Sequence, residues 1–176
     1  ALFSNVNAKT RFFLELGCVV YEAYETKIQR LGKIDFDELV NQAVQQIHAS
    51  KGNIFISTDG TSARQFNLLN LEWLLIDEYQ DFSPLFYDLV DSLQKYNPNL
   101  KILCVGDDWQ AINSFAGSDL SYLNEYQSFF PNAGIVPLTT NYRSKSAIVE
   151  AGNQVMQGNG IAGKALPGNV GGNVYI

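Results

Sequence analysis

Trp73-Leu74-Leu75-Ile76-Asp77-Glu78-Tyr79-Gln80-Asp81 is the stretch on which the fold turns. Four apolar residues run without interruption and stop at two adjacent carboxylates. The run is too short for an amphipathic helix. It lacks the polar alternation of a strand with one wet face, so it predicts a buried parallel strand. In open α/β sheets ligands bind beyond the carboxyl ends of the strands, and Asp77 and Glu78 would stand there. One carboxylate in such a place can hold Mg²⁺, usually through water. Its neighbour can orient and deprotonate an attacking water. A short apolar run ending in Asp-Glu also occurs in ordinary surface turns, so these residues alone leave both readings open.

The flanking sequence extends the α/β pattern. Ser83-Pro84 predicts a helix N-cap followed by proline at the first helical position, and Leu85, Phe86, Leu89, Val90 and Leu93 line one helix face. Ile102-Leu103-Cys104-Val105 predicts a second buried strand, ending at Gly106-Asp107-Asp108. A further helix is expected over about 119–129. Ile135-Val136-Pro137-Leu138 reads as a third strand, its proline suggesting an end or an edge. Ile148, Val149, Gly152, Val155 and Met156 mark a last helix.

Upstream, Phe12, Leu16, Val19, Val20, Ala23, Tyr24, Ile28 and Leu31 recur at helical spacing, and Gly32 ends that helix. Asp35 predicts an N-cap, with Glu38 three residues on as in a capping box, and a helix over roughly 36–48. Residues 50–65 read as a loop around Ile54-Phe55-Ile56. Beyond Gln157 glycines crowd the chain, and Val174-Tyr175-Ile176 reads as the opening of a strand. Strands alternating with helices argue an α/β sheet.

The 176 residues are 46% hydrophobic and 17% charged, a globular composition. No apolar run approaches the ~20 residues of a membrane span. The start at Ala1 has no signal-peptide pattern and reads as a cut inside a longer chain. Cys18 and Cys104 sit among apolar neighbours and are expected to be buried, reduced thiols. With no CxxC and His48 as the single histidine, no zinc site is expected, and a cytoplasmic setting is the natural expectation. His48 is expected at a surface or helix end. The formal net charge of −6 argues against a strong unspecific grip on DNA, which needs clustered Lys and Arg.

Three segments then carry a resemblance. Leu75-Ile76-Asp77-Glu78-Tyr79-Gln80-Asp81 resembles the Asp-Glu-x-Gln-Asp motif of the UvrD/Rep-type superfamily 1 DNA helicases. Val105-Gly106-Asp107-Asp108-Trp109-Gln110-Ala111-Ile112 resembles that family's third motif, and Leu138-Thr139-Thr140-Asn141-Tyr142-Arg143-Ser144 its fourth. Ile34-Asp35-Phe36-Asp37-Glu38-Leu39 is similar to the segment preceding the second motif. The wording of the third motif looks nearest the helicase IV branch.

The resemblance implies a P-loop NTPase (RecA-like) partial domain, a short parallel sheet flanked by helices. It implies Mg²⁺ and ATP, with Asp77 holding the metal through water and Glu78 activating the attacking water. Gln110 would sense the γ-phosphate and report to the DNA site. Arg143 would stabilise charge on the transferring phosphoryl group, and Tyr142 would stack on adenine. Single-stranded DNA would meet the loop at Asn113 and Phe115. The family commonly has Tyr-x-Trp-Arg-Gly there, and Asn113-Ser114-Phe115-Ala116-Gly117 keeps one π-face while losing an aromatic and a cation. Plainer readings stand beside these. Asp81 and Asp107 could satisfy turn donors, Tyr142 and Phe115 could be core aromatics, and Arg143 could be an ion-pair partner.

No G-x-x-x-x-G-K-[ST] phosphate loop is found, and Asn159–Ala165 is set aside for its spacing and its missing hydroxyl. The resemblance therefore implies residues 1–32 as a helical return from an inserted subdomain. Residues 33–140 would be the C-terminal half of a first RecA-like domain without its Walker A strand, and 141–176 the Gly-rich threshold of a second. The function implied is a piece of an ATP-dependent 3′→5′ DNA helicase, inactive alone, whose partners are ATP, single-stranded DNA and the rest of its parent chain. The alternatives are a helicase-like factor that binds RNA polymerase and a non-catalytic interaction module. In the family's strand order the missing strand lies between the strands at 102–105 and 135–138. Residues 135–138 should therefore pair elsewhere, or the chain should self-associate through its open edges, with 173–176 the readiest strand to be recruited.

Overall fold

The computed structural model describes residues 6–54 and 67–174. The chain divides into two compact units, one drawn from residues 1–70 with 88–97, the other from 71–87 with 98–176. It is a mixed α/β chain with short parallel sheets flanked by helices.

In the first unit, helix α1 (Ala8–Arg30) begins at Asn7, whose Oδ1 accepts from the Thr10 amide at 2.9 Å. It ends where Gly32 takes φ +61°. Helix α2 (Phe36–Ser50) is capped by Asp35, which accepts from the Glu38 amide at 2.9 Å. The Glu38 carboxylate accepts from Gln42 at 2.8 Å, so the capping-box pattern is used from the Asp35 side. Lys51 and Gly52 are both left-handed (φ +53° and +77°) and stop α2. At Gly52 a Cβ would lie 2.8 Å from Leu69 Cδ2 and 3.1 Å from Tyr96 Cβ, so only glycine fits that turn. Ile47 and Val90 are buried here. His48, near the end of α2, is exposed and meets the Tyr96 hydroxyl at 3.2 Å. Residues 55–66, which hold most of the expected loop and its apolar run, lie outside the described residues.

In the second unit, β1 (Trp73–Ile76) and β2 (Lys101–Cys104) pair in parallel, from Trp73↔Lys101 to Ile76↔Cys104. Helix α3 (Pro84–Tyr96), which belongs to the first unit from Asp88 onward, lies between them in the chain, and the Phe86 amide donates to Ser83 Oγ at 3.4 Å, as the Ser-Pro signal implied. The core beside the sheet is aromatic. Tyr79, Phe82, Tyr122 and Phe130 are buried, with ring centroids 4.5 Å apart for Tyr79–Phe82 and 5.5 Å for Phe82–Tyr122. Rings at these separations and tilts gain roughly 0.5–1.5 kcal/mol per pair beyond burial.

Several expectations are corrected. The strands are covered on one face only: Leu74, Ile76, Ile102 and Cys104 are half-buried, while Trp73, Leu75 and Leu103 are exposed, Leu75 by 69%. A continuous apolar run says that both faces can be buried, and here only one has something packed on it. Residues 135–138 form no strand and are exposed. Pairing starts two residues later, where β3 (Thr140–Asn141) runs parallel to β4 (Lys164–Ala165). Neither 135–138 nor 173–174 is recruited into the sheet of β1 and β2, and residues 175–176 lie outside the described residues. The helix expected over 119–129 is two short ones, α4 (Ser121–Asn124) and α5 (Tyr126–Phe129), separated by Glu125 at φ −109°, ψ 31°.

The last helix, α6 (Ser146–Val155), is present. Cys18 is exposed, because no residue of α1 is buried. Counted from Gly158, the tail does have the G-x-x-x-x-G-K spacing, Gly158 to Gly163-Lys164. Ala165 replaces the hydroxyl, and Lys164-Ala165 form strand β4 where a phosphate loop needs a helix N-terminus. No described helix is long and apolar enough to cross a membrane.

Candidate functional site

The parallel register of β1 and β2 brings their carboxyl ends to one edge, and the chain leaves each strand in a tight turn. The Val105 amide donates to Ile76 O at 2.8 Å, and the Tyr79 amide donates back to Val105 O at 2.8 Å. The ladder thus continues past the strands and holds the segment after β1 against the segment after β2. Asp77 and Glu78 stand at this edge, both exposed. Asp77 Oδ1 accepts from the Glu78 amide at 3.0 Å. Glu78 is left-handed (φ +53°, ψ +42°) and opens the 3-10 turn Tyr79–Asp81. A left-handed non-glycine residue costs on the order of 1 kcal/mol, and such strain concentrates at functional sites.

Beyond β2, Asp107 caps the 3-10 turn Asp108–Gln110. Its Oδ1 accepts from the Trp109 amide at 3.1 Å, and its Oδ2 accepts from Gln110 Nε2 at 2.7 Å. Asp107 is therefore a turn-satisfying residue that also holds the Gln110 amide. Asp81 Oδ2 accepts from Asn113 Nδ2 at 2.9 Å, while its Oδ1 is buried with no partner among the described residues. The Asn113 side chain is turned onto Asp81. Phe115, in the turn Ser114–Ala116, is 87% exposed, which removes the reading of a buried aromatic. Ile112 beside it is exposed too.

Tyr142 and Arg143 follow β3. Asn141 Oδ1 accepts from the Arg143 amide at 3.0 Å and the Ser144 amide at 2.8 Å, fixing the turn that presents them. Tyr142 is 73% exposed and so is not a core aromatic. Arg143 is exposed, and no ion pair of it is found among the described residues. No hydrogen bond joins Arg143 or Tyr142 to the carboxylates, so two groupings result: Asp77, Glu78 and Gln110 at the β1–β2 edge, Tyr142 and Arg143 on the β3 turn.

Two residues that sequence reasoning passed over connect the first grouping. Gln80 is 3% exposed, and its side chain donates to Glu78 Oε2 at 2.5 Å and accepts from the Asp107 amide at 3.0 Å. Gly106 makes room for it: a Cβ there would lie 3.1 Å from both Gln80 N and Gln80 Oε1 and 3.2 Å from Tyr79 Cβ. Gln80 stood inside a quoted motif without a role, and Gly106 gave no signal beyond being glycine after a strand. Trp109 is also anchored, its indole N–H donating to Asn159 O at 2.8 Å.

Among the described residues no cluster of three or more His, Cys, Asp or Glu side chains could cage a metal. Asp77 offers one carboxylate with an oxygen left over. That suits Mg²⁺, which keeps several waters and takes one or two carboxylates with substrate phosphates.

The UvrD/REP helicase N-terminal domain family matches residues 6–131. The chain is 32% identical over 147 residues to ATP-dependent DNA helicase PcrA of Leuconostoc citreum, covering 84% of this chain and 18% of that protein. It is 31% identical over 146 residues to DNA helicase IV of Escherichia coli, covering 83% and 19%. To PcrA of Bacillus subtilis it is 29% identical over 140 residues, covering 80% and 17%. The chain thus spans less than a fifth of the length of these relatives, and the identities do not separate one branch from another.

Proposed function

Since the chain belongs to the UvrD/REP helicase family, we propose that it is the part of an ATP-dependent 3′→5′ DNA helicase that carries the hydrolytic carboxylates and the residue reporting on the γ-phosphate. The observation that carries this is the single edge at which Asp77-Glu78 and Asp107–Gln110 emerge from paired parallel strands. Asp77 would hold Mg²⁺, which would shield phosphate charge when bound. Glu78 takes the proton of the attacking water. Gln110, steadied by Asp107, directs an amide donor toward the nucleotide. Arg143, on an exposed turn and without an ion pair among the described residues, would approach the phosphoryl group when the second grouping closes on the first. Tyr142 offers a face for adenine and Phe115 a face for a DNA base.

Residues 1–32, 33–140 and 141–176 serve as the return from an inserted subdomain, the end of the first motor domain and the threshold of the second. The exposed apolar face of β1 and β2 supports a setting in which more of the parent protein packs there. Both cysteines are free thiols, as a reducing cytoplasm would leave them. The third-motif wording favours the helicase IV-like branch.

The test uses the complete gene product that contains this sequence, on saturating single-stranded DNA. Glu78→Gln keeps shape and loses the base, so turnover should fall at least ~10²-fold while ATP binding survives. Arg143→Ala should lower kcat by about 10²-fold. The 176-residue chain alone should release phosphate at no more than background, because its sequence has no G-x-x-x-x-G-K-[ST] loop to cradle the α- and β-phosphates. Near wild-type turnover in Glu78→Gln would end this reading.

A further inference from the structure

Resting on that reading of Glu78, we infer that Gln80 is a positioning residue that fixes the Glu78 carboxylate and ties it to the loop carrying Gln110. The contacts form one unbroken chain. Glu78 Oε2 accepts from Gln80 Nε2, Gln80 Oε1 accepts from the Asp107 amide, and Asp107 Oδ2 accepts from Gln110 Nε2. Chemistry fixes the direction of the Gln80 amide. A backbone N–H only donates and a carboxylate only accepts, so Oε1 must face Asp107 and Nε2 must face Glu78. The side chain is almost wholly buried, so water does not compete for either end. Gly106 is what lets it lie so close to the β2 turn.

The consequence concerns geometry at the reacting atoms. Glu78 sits on a left-handed residue at an exposed edge, and a free glutamate there would sample several rotamers. With Oε2 held by Gln80, Oε1 is the oxygen left to meet the attacking water. The same amide joins the base to Asp107, whose carboxylate holds Gln110. A shift of the Gln110 turn is thereby felt at Glu78 through three hydrogen bonds, without rearrangement of the sheet.

Two variants and one exchange measurement test this, again in the complete gene product. Gln80→Glu keeps an acceptor for the Asp107 amide and replaces the donor to Glu78 with a like charge. Gln80→Met removes both ends. Both should lower kcat by about 10- to 100-fold, with KM for ATP within about 2-fold of wild type. Wild-type kcat in Gln80→Glu overturns the inference, because the Asp107 contact alone would then suffice. An effect confined to KM also overturns it. Should Gln80→Met fail to fold, Gln80→Glu decides; independently, the Asp107 amide of the wild-type protein should exchange slowly with solvent, and free exchange there overturns the inference. The two claims fail separately. Retained turnover in Glu78→Gln removes the base itself, whereas an inactive Glu78→Gln beside fully active Gln80 variants removes only the positioning.

Discussion

At the carboxyl ends of β1 and β2 the turns are tied together by backbone and side-chain hydrogen bonds between named partners, whereas helix α1 runs from Ala8 to Arg30 with none of its residues buried. Both regions carry plain sequence patterns. The difference is what each pattern specifies. Helical spacing at Phe12, Leu16, Val20 and Tyr24 specifies a local conformation and an apolar face, and that face gains nothing until something covers it. The strand-end turns specify their own partners. Backbone amides, a buried glutamine and two carboxylates lie within a few residues of one another once two strands pair. Burial then makes each of those bonds costly to lose.

If that contrast is right, the largest loss should come from the aromatic residue under the turns. Tyr79 is 1% exposed and its ring meets Phe82 at 4.5 Å and Tyr126 at 5.6 Å. Tyr79→Ala should cost ~3–5 kcal/mol, the usual range for truncating a buried aromatic. Tyr79→Phe should cost nothing. The hydroxyl is buried with no partner among the described residues, and burial raises its pKa above the ordinary 10.0, so it stays protonated and unused. Denaturant titration of both variants decides the matter, and a clear loss in Tyr79→Phe would reveal a partner for that hydroxyl.

Next in size is Gly106→Ala. The added methyl meets backbone as well as side chain, at 3.1 Å from Gln80 N, so the strain cannot be relieved by a rotamer change alone. We expect ~1–3 kcal/mol of destabilisation, as for other overpacked sites. The sharper signature is local: the Asp107 amide should exchange faster, because the methyl pushes on the Gln80 oxygen that accepts its hydrogen bond. Unchanged stability and exchange would mean that the turn after β2 is looser than its contacts imply.

How far the sequence could be read follows the same division. Asp35, Ser83-Pro84 and the run Trp73–Ile76 signal structure through neighbours in the chain, and the structure has the corresponding caps and strand. Residues 135–138 have the apolar character of a strand and form none. A strand needs a partner, and their flanking sequence does not supply one. Cys18 fails as a buried thiol for the same reason, since its apolar neighbours lie on a helix that nothing covers. At the candidate site the apolar run ending in Asp-Glu implies carboxylates at the end of a strand, and the structure has Asp77 and Glu78 directly after β1. Gln80 is not legible in this way, because its role exists only when the turn after β2 arrives beside it. Asn113 likewise has a partner that its sequence position does not announce, one N–H of its amide donating to Asp81.

The smallest expected effect lies on α1. Leu16 and Val20 line a shallow apolar depression with Phe13, Gly17, Tyr21 and Tyr24, and both are exposed. Replacing Leu16 and Val20 together by glutamine removes apolar surface that is already in water, so no buried area is lost. Glutamine also propagates a helix about as well as leucine and better than valine. The double variant should therefore unfold within ~0.5 kcal/mol of the parent chain, as surface substitutions do. The measurement is a denaturant titration at two protein concentrations well apart. A loss above ~1 kcal/mol that is independent of concentration would mean the helix face is packed within the chain in solution, and a loss that grows with concentration would mean it is covered by another molecule. The first result would break the contrast between a region that supplies its own partners and one that does not, and the second would sharpen it by showing that the face of α1 is covered from outside the chain.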